Sequence, residues 1–272
     1  MHNFLVILSV CVIEHISPAL YYVFSSVVPL VMITHCIISR GLPAIPVIFI
    51  AFINIFLFIG VSMSVCLHRY FSHKAFDTSR TMQFCLGIIS CFAWQGGPLQ
   101  WAQMHIRHHK FCDLPNDPHS VKQSGFWYAF IGWMADPINY KFDKVQYSQV
   151  DYRLRTVEMH IIQKFHMIPP ITLCMFVEHV AGYQIMIFAC LLPMVLCRFI
   201  TLLFNVEFHP VGSVSGKCLG VDNRRILAIA VGESRHAEHH FHPRQSHRRD
   251  IDIPYWITIF WMEKCNLVWN CR

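Results

Sequence analysis

Charge is scarce in this chain. Only 14% of its 272 residues are Asp, Glu, Lys or Arg, while 54% are hydrophobic. Ordinary soluble domains carry roughly 25% charged residues, so this composition points to a protein that crosses a membrane several times. The net charge of +6 comes with no compact basic patch or motif, which excludes nucleic acid as a partner. It suits a cytoplasmic face beside anionic lipid, or an anionic carrier. Twelve cysteines are present, yet none forms C-x-x-C, which argues against rubredoxin-like and zinc-ribbon sites. Several fall in apolar runs, where a free thiol behaves as a small hydrophobe, and all are expected to be reduced. There is no H-E-x-x-H, no G-x-G-x-x-G and no P-loop. The opening residues M-H-N-F-L-V-I-L-S-V-C-V-I lack the basic flank of a signal peptide, and Glu14 and His15 follow at once. They read as a short buried or interfacial segment. With no internal repeat or low-complexity linker, residues 1–272 read as one domain with its core at 44–243.

A helical span needs about 20 mostly apolar residues. Four stretches qualify: 19–38, 44–66, 165–180 (interrupted by Pro169 and Pro170) and 183–206 (containing Pro193 and Arg198). Lys and Arg number eleven in 67–164 and nine in 207–272. The positive-inside rule places both segments, and both termini, on the cytoplasmic side. Residues 82–101 are apolar but broken by Gln95, Gly96, Gly97 and Pro98; they predict a buried or partly embedded helix that does not span. The aromatic-rich stretch 120–164 predicts amphipathic interfacial helices.

Against this background stand nine histidines in four groups, all at the cytoplasmic ends of spans. They are His68 and His73; His105, His108 and His109; His209; and His236, His239 and His240. Imidazole is the commonest side-chain ligand for iron, zinc and copper. Nine is too many for one ion and suits two. H-x-x-H-H occurs twice, at 105–109 and 236–240, and places three imidazoles on one helical face. His68 and His73, five apart, lie about 140° apart on an ideal helix, so the helix is expected to end or distort after His68. A site of two histidines and one carboxylate would leave most of the set unexplained. Asp113, Asp117, Glu207 and Glu238 can orient imidazoles by accepting N–H bonds, and His119 and His242 are candidates for the surrounding layer. A membrane metal transporter or sensor is the alternative class, but its ligands would lie near the bilayer midplane.

The motifs H-R-Y-F-S-H (68–73), W-A-Q-M-H-I-R-H-H-K-F (101–111) with D-P-H (117–119), N-x-x-x-H (205–209) and G-E-x-x-H-x-x-H-H (232–240) resemble the membrane fatty acyl desaturases, in the stearoyl-CoA-desaturase-like branch. Order and spacing agree over 44–243, and Q-G-G-P-L-Q-W and G-F-W-Y-A-F-I-G-W look like the bacterial type. The resemblance implies an all-α membrane protein of about four spans with a cytoplasmic helical cap. It implies two iron ions held by the nine histidines, with Asn205 holding a water at one of them. Gln95, Trp101 and Thr201 match positions that shape the bend of the acyl tunnel. The implied reaction is O2-dependent desaturation of a fatty acyl thioester on CoA or acyl carrier protein. With no cytochrome b5 module apparent, a separate electron donor of ferredoxin or cytochrome b5 type is expected. Two departures flank the histidines: Val206-Glu207-Phe208 before His209, and Ser234-Arg235 and Ala237-Glu238 around His236. They keep a hydroxylase or acetylenase on the same scaffold as the alternative. By distance from His68, Phe52 and Phe56 match positions near the far end of the tunnel, where two bulky rings would favour short chains; the alternative is that both face lipid or neighbouring helices.

Overall fold

The computed structural model describes residues 17–139, 149–210, 220–222, 232–248 and 251–272. The expected N-terminal interfacial segment lies outside them. Among the described residues three helical segments are long and apolar enough to cross a membrane: Ala19–Arg40, Ile45–Ser72 and Tyr183–Glu207. Helix α1 (Pro18–Arg40) starts where Ser17 accepts a hydrogen bond from the Leu20 amide and Pro18 fits the first turn, and it ends at Gly41, whose φ of 72° favours glycine. Outward-facing Ile38, Ile45 and Phe49 are 80%, 82% and 64% exposed. Apolar side chains so exposed belong against lipid.

The fourth expected span is shorter than its apolar run. Pro169 and Pro170 sit in the first turn of α5 (Ile168–Ala181), which therefore starts at Ile168 and has 14 residues. At 1.5 Å per residue it reaches about 21 Å, less than the roughly 30 Å of a hydrocarbon core.

The segment feeding the first histidine pair holds the main surprise. Helix α2 (Ile45–Leu57) passes without a break into π-helix over Phe58–Ser72. The distortion thus begins ten residues before His68, and the helix runs on past it. A π-helix bonds residue i to i+5, and the His73 amide donates to the His68 carbonyl at 3.3 Å. Residues five apart become neighbours on one face, which is what two histidines five apart need. A second π stretch, Ile187–Leu191, precedes α6 (Leu192–Glu207), whose first turn takes Pro193. The Ala189 carbonyl there accepts from Asn54 Nδ2, so α2 is tied to the last span by its one amide side chain.

Helix α3 (Arg80–Ser90) is capped by Ser79 and ends in a 3-10 turn, Cys91–Ala93. The break at 94–97 then turns the chain into α4 (Pro98–Phe111), as the glycines and proline predict. Gly97 offers no side-chain cap. Gln163 Oε1 replaces it, accepting from the Leu99 and Gln100 amides at 3.0 and 2.9 Å. Between 120 and 164 the described helices are short: Val121–Ser124, Phe126–Phe130 and Val157–Lys164. One departure from all-α is a two-residue antiparallel pair, Asp77–Thr78 with Val268–Trp269, which returns the C-terminal segment to the end of the π-helix. Nine described cysteines are free. Cys112 corrects the expectation for the whole set: it is disulfide-bonded.

Candidate metal centre

Every one of the nine histidines points its Nε2 into one buried region, and they divide into five and four. In the first group His68 lies 2.9 Å from His239, His239 3.1 Å from His109, His109 3.0 Å from His105 and His105 2.9 Å from His73, all between Nε2 atoms. In the second, His108 lies 3.2 Å from His209, His209 3.0 Å from His236 and His236 3.1 Å from His240. Neutral imidazoles pair through a single proton, so clusters of four and five facing nitrogens are not explained by hydrogen bonds among themselves. Ligands at right angles on an ion about 2.1 Å away would stand about 3 Å apart. The donor set therefore fits metal ions, and nitrogen donors suit iron, zinc and copper.

The two H-x-x-H-H boxes do not each serve one group. His105 and His109, one α-turn apart on α4, join the first group, and His108 joins the second. On α7 (His236–Phe241) His236 and His240 join the second, and His239 the first. Each box thus bridges both groups, with the i,i+4 pair on one side and the middle histidine on the other. Cys112 Sγ sits 3.7 Å from His209 Nδ1, but a disulfide sulfur is no thiolate ligand.

Burial holds His73, His105, His109, His209, His239 and His240 well below the ordinary imidazole range; crowding by neighbouring imidazoles, and by Arg248 at His73 and His239, pushes the same way. They remain neutral, the form that binds metal. Around them lies an outer layer. Asp117 accepts from His108 Nδ1 at 3.0 Å and from the Asp113 and His119 amides. His119 stacks on His108, and burial pushes its pKa down to about 3. Of the other acids named from sequence, Asp113 accepts from Ser120 Oγ, Glu238 faces Arg235, and Glu207 is exposed.

Sequence reasoning missed Glu233, although the i,i+3 step to His236 was there to be read. It is 2% exposed and lies 2.8 Å from His68 Nδ1 and 3.6 Å from His236 Nδ1, touching one histidine of each group. Burial alone would raise its pKa; His68 and Arg248 hold it well below the usual carboxylate range. Arg248, also missed, donates to His239 Nδ1 at 2.8 Å and faces Glu233 at 3.4 Å.

A cavity reaches this region, lined by histidines of both groups and also by Tyr22, Met134 and Arg198. There Trp101 Nε1 donates to Gln95 Oε1 at 3.0 Å, Gln95 Nε2 to Thr201 Oγ1 at 2.8 Å, and Thr201 Oγ1 to the Cys197 carbonyl at 2.9 Å. The three residues named for the tunnel bend are therefore one hydrogen-bonded chain on the cavity wall. Asn205 also lines the cavity, one turn before His209. It lies inside α6, whose C-cap is Phe208, so it is not a helix cap, and its amide makes no hydrogen bond among the described residues. Phe52 and Phe56, expected near the far end of the tunnel, lie apart from this cavity. Phe52 is 56% exposed, Phe56 half-buried, and their rings meet edge-on at 4.7 Å. Ala51 and Asn54 hold the inward face of α2 instead.

A fatty acid desaturase family profile matches residues 44–256. The chain belongs to the fatty acid desaturase family. Among similar proteins is a hex-5-enoyl-[acyl-carrier protein] acetylenase of Moorena producens, 42% identical over 28% of this chain and 27% of that protein. An sn-1 stearoyl-lipid 9-desaturase of Synechocystis is 26% identical over 74% of the chain and 64% of its own length. An icosanoyl-CoA 5-desaturase of Limnanthes douglasii is 26% identical over 78% and 61%. This desaturase-family chain thus spans less than two thirds of each of these relatives. The matched residues contain all nine clustered histidines, Glu233 and the Trp101–Gln95–Thr201 chain.

Proposed function

We propose that the chain is an O2-dependent oxidoreductase that removes two hydrogens from adjacent methylenes of a fatty acyl thioester. The observation that carries this is the five-plus-four division of nine Nε2 atoms beside a cavity. Two iron ions are the cofactors in this reading, one held by His68, His73, His105, His109 and His239, the other by His108, His209, His236 and His240. Bound iron would supply the oxidising power that unactivated C–H bonds demand, which acid–base chemistry alone cannot. Asn205, free to hydrogen-bond and beside the group with four histidines, would hold a water on the open side of that group. Glu233 and Asp117 hold imidazole Nδ1 atoms, which fixes ring orientation and tautomer. The Trp101–Gln95–Thr201 chain shapes the cavity wall and sets which carbons lie beside the histidines, and Met63, Met104, Leu202 and Phe204 along it exclude water. Electrons come from a separate ferredoxin or cytochrome b5 type donor, and the histidine groups face the cytoplasm. The carrier is CoA or acyl carrier protein, both of which occur in the names of relatives.

A second reading, acetylenase, is favoured by the 42% identical segment shared with the acetylenase. The same geometry would then act on a chain that already carries a double bond. Expression in a desaturase-deficient host, with mass spectrometry that localises unsaturation, separates the two. A new double bond supports desaturation. A triple bond in fed alkenoic acids supports the second reading, and unchanged lipids with protein present would sink both.

Asn205→Ala is expected to lower turnover by about 10–100-fold, as for other residues that support a metal centre, while thermal unfolding stays within a few degrees of wild type. Unchanged turnover would remove Asn205 from the site.

A further inference from the structure

Away from the histidines the cavity wall is not wholly apolar. Its lining includes Arg198, which sits within the last span and is 1% exposed. Its Nε donates to the Trp94 carbonyl at 2.6 Å, and Nη1 to Ser25 Oγ at 3.0 Å and Ser26 Oγ at 2.9 Å. The guanidinium carbon lies 5.2 Å from the Tyr22 ring centroid. These contacts fix the group in place but leave its charge unanswered. Nη2 has no hydrogen-bond partner, and among the described residues no carboxylate pairs with the group. A buried guanidinium without an anion is costly, and the partial compensation from one ring is much smaller. In a membrane span such a residue marks a ligand or a pathway.

Arg198 is seven residues before Asn205 on α6, about 10 Å along the helix. A chain that passes the histidines and then Gln95 and Thr201 would bring its far end to Arg198 after a short run of methylenes. We propose that Arg198 receives a carboxylate at the far end of the substrate, so that the acyl chain is a short one carrying a thioester at one end and a carboxylate at the other. Arginine suits this role because its planar fork can pair with a carboxylate through two bonds. The inference rests on the reading of the cavity as the acyl site.

The test compares two pantetheine thioesters of equal length, octanoyl and the half-thioester of octanedioic acid. Their binding to the full, iron-loaded chain in detergent is measured by calorimetry without O2. The carboxylate-ended probe is expected to bind roughly tenfold or more tightly, the range for a hydrogen bond to a charged group. Arg198→Met is expected to abolish that preference and Arg198→Lys to keep part of it. Equal binding by wild type, or tighter binding of the octanoyl probe, overturns the proposal, and that comparison needs no variant to fold. With O2 and electrons supplied, a clear preference without product from either probe would sink the desaturation and leave Arg198 its role. Desaturated octanoyl product without any preference would do the reverse.

Discussion

Replacing His108 by Ala is expected to abolish turnover and to remove metal from the four-histidine group. His108 is the one histidine of that group on α4, and among the described residues it alone connects the group to Asp117. Its loss leaves three nitrogens and frees a buried carboxylate whose low pKa depends on His108. Metal content by mass spectrometry should fall by about one ion per chain, while the five-histidine group keeps its own. His35→Ala and His179→Ala are the controls; both residues are exposed and lie outside the two groups. Full activity with two ions bound in His108→Ala would overturn the metal assignment.

How much of this was legible before the fold depends on the range of the forces involved. H-x-x-H-H at 105–109 and 236–240 is read through the helix period alone, so the sequence exposes it. The division of each box between two groups needs the relative placement of α4 and α7, which no local pattern carries. His68 and His73 show the limit from the other side. Their five-residue spacing conflicts with an α-helix and so announces a distortion. That fifteen residues adopt the wider π-helix follows from packing around Phe58–Ser72. The same stretch explains Phe52 and Phe56. Distance from His68 gives their depth, but each π turn takes up more residues than an α turn, so the face of α2 cannot be carried back from His68 by counting. Pro169 and Pro170 did carry usable information, since proline belongs in a first helical turn, and they mark where α5 begins. Gln95, Trp101 and Thr201 came from resemblance, and their hydrogen-bonded chain gives that resemblance a physical content.

The second large effect concerns Arg69, next to His68. It is expected that Arg69→Met destabilises the protein by about 3–5 kcal/mol, the range for breaking one side of a buried ion pair. Both Arg69 and Asp252 have fully buried side chains. The guanidinium meets Asp252 Oδ1 at 2.8 Å and Oδ2 at 2.9 Å, the Ser246 carbonyl at 2.7 Å and the Gly232 carbonyl at 3.1 Å. Asp252 in turn accepts from the Arg248 and Tyr255 amides. Arg69 thus holds the segment carrying Glu233 against the π-helix carrying His68 through the Gly232 carbonyl, while its ion pair with Asp252 fixes the guanidinium in place, and Glu233 reaches His68 Nδ1. Gly232 has a φ of 72°, and a Cβ there would collide with Arg69 Nη2, so the close approach is written into the residue choice. Since whole domains are stable by roughly 5–15 kcal/mol, the single variant should show a clearly lower unfolding temperature in detergent. The double variant Arg69→Met with Asp252→Leu removes both charges and should recover part of that loss, because an apolar pair leaves no uncompensated ion. Activity should stay low in the double variant, since the clamp on Glu233 is gone. An unfolding temperature unchanged in Arg69→Met would show that the clamp carries no stability. Recovery of full turnover in the double variant would show that Glu233 reaches His68 without it.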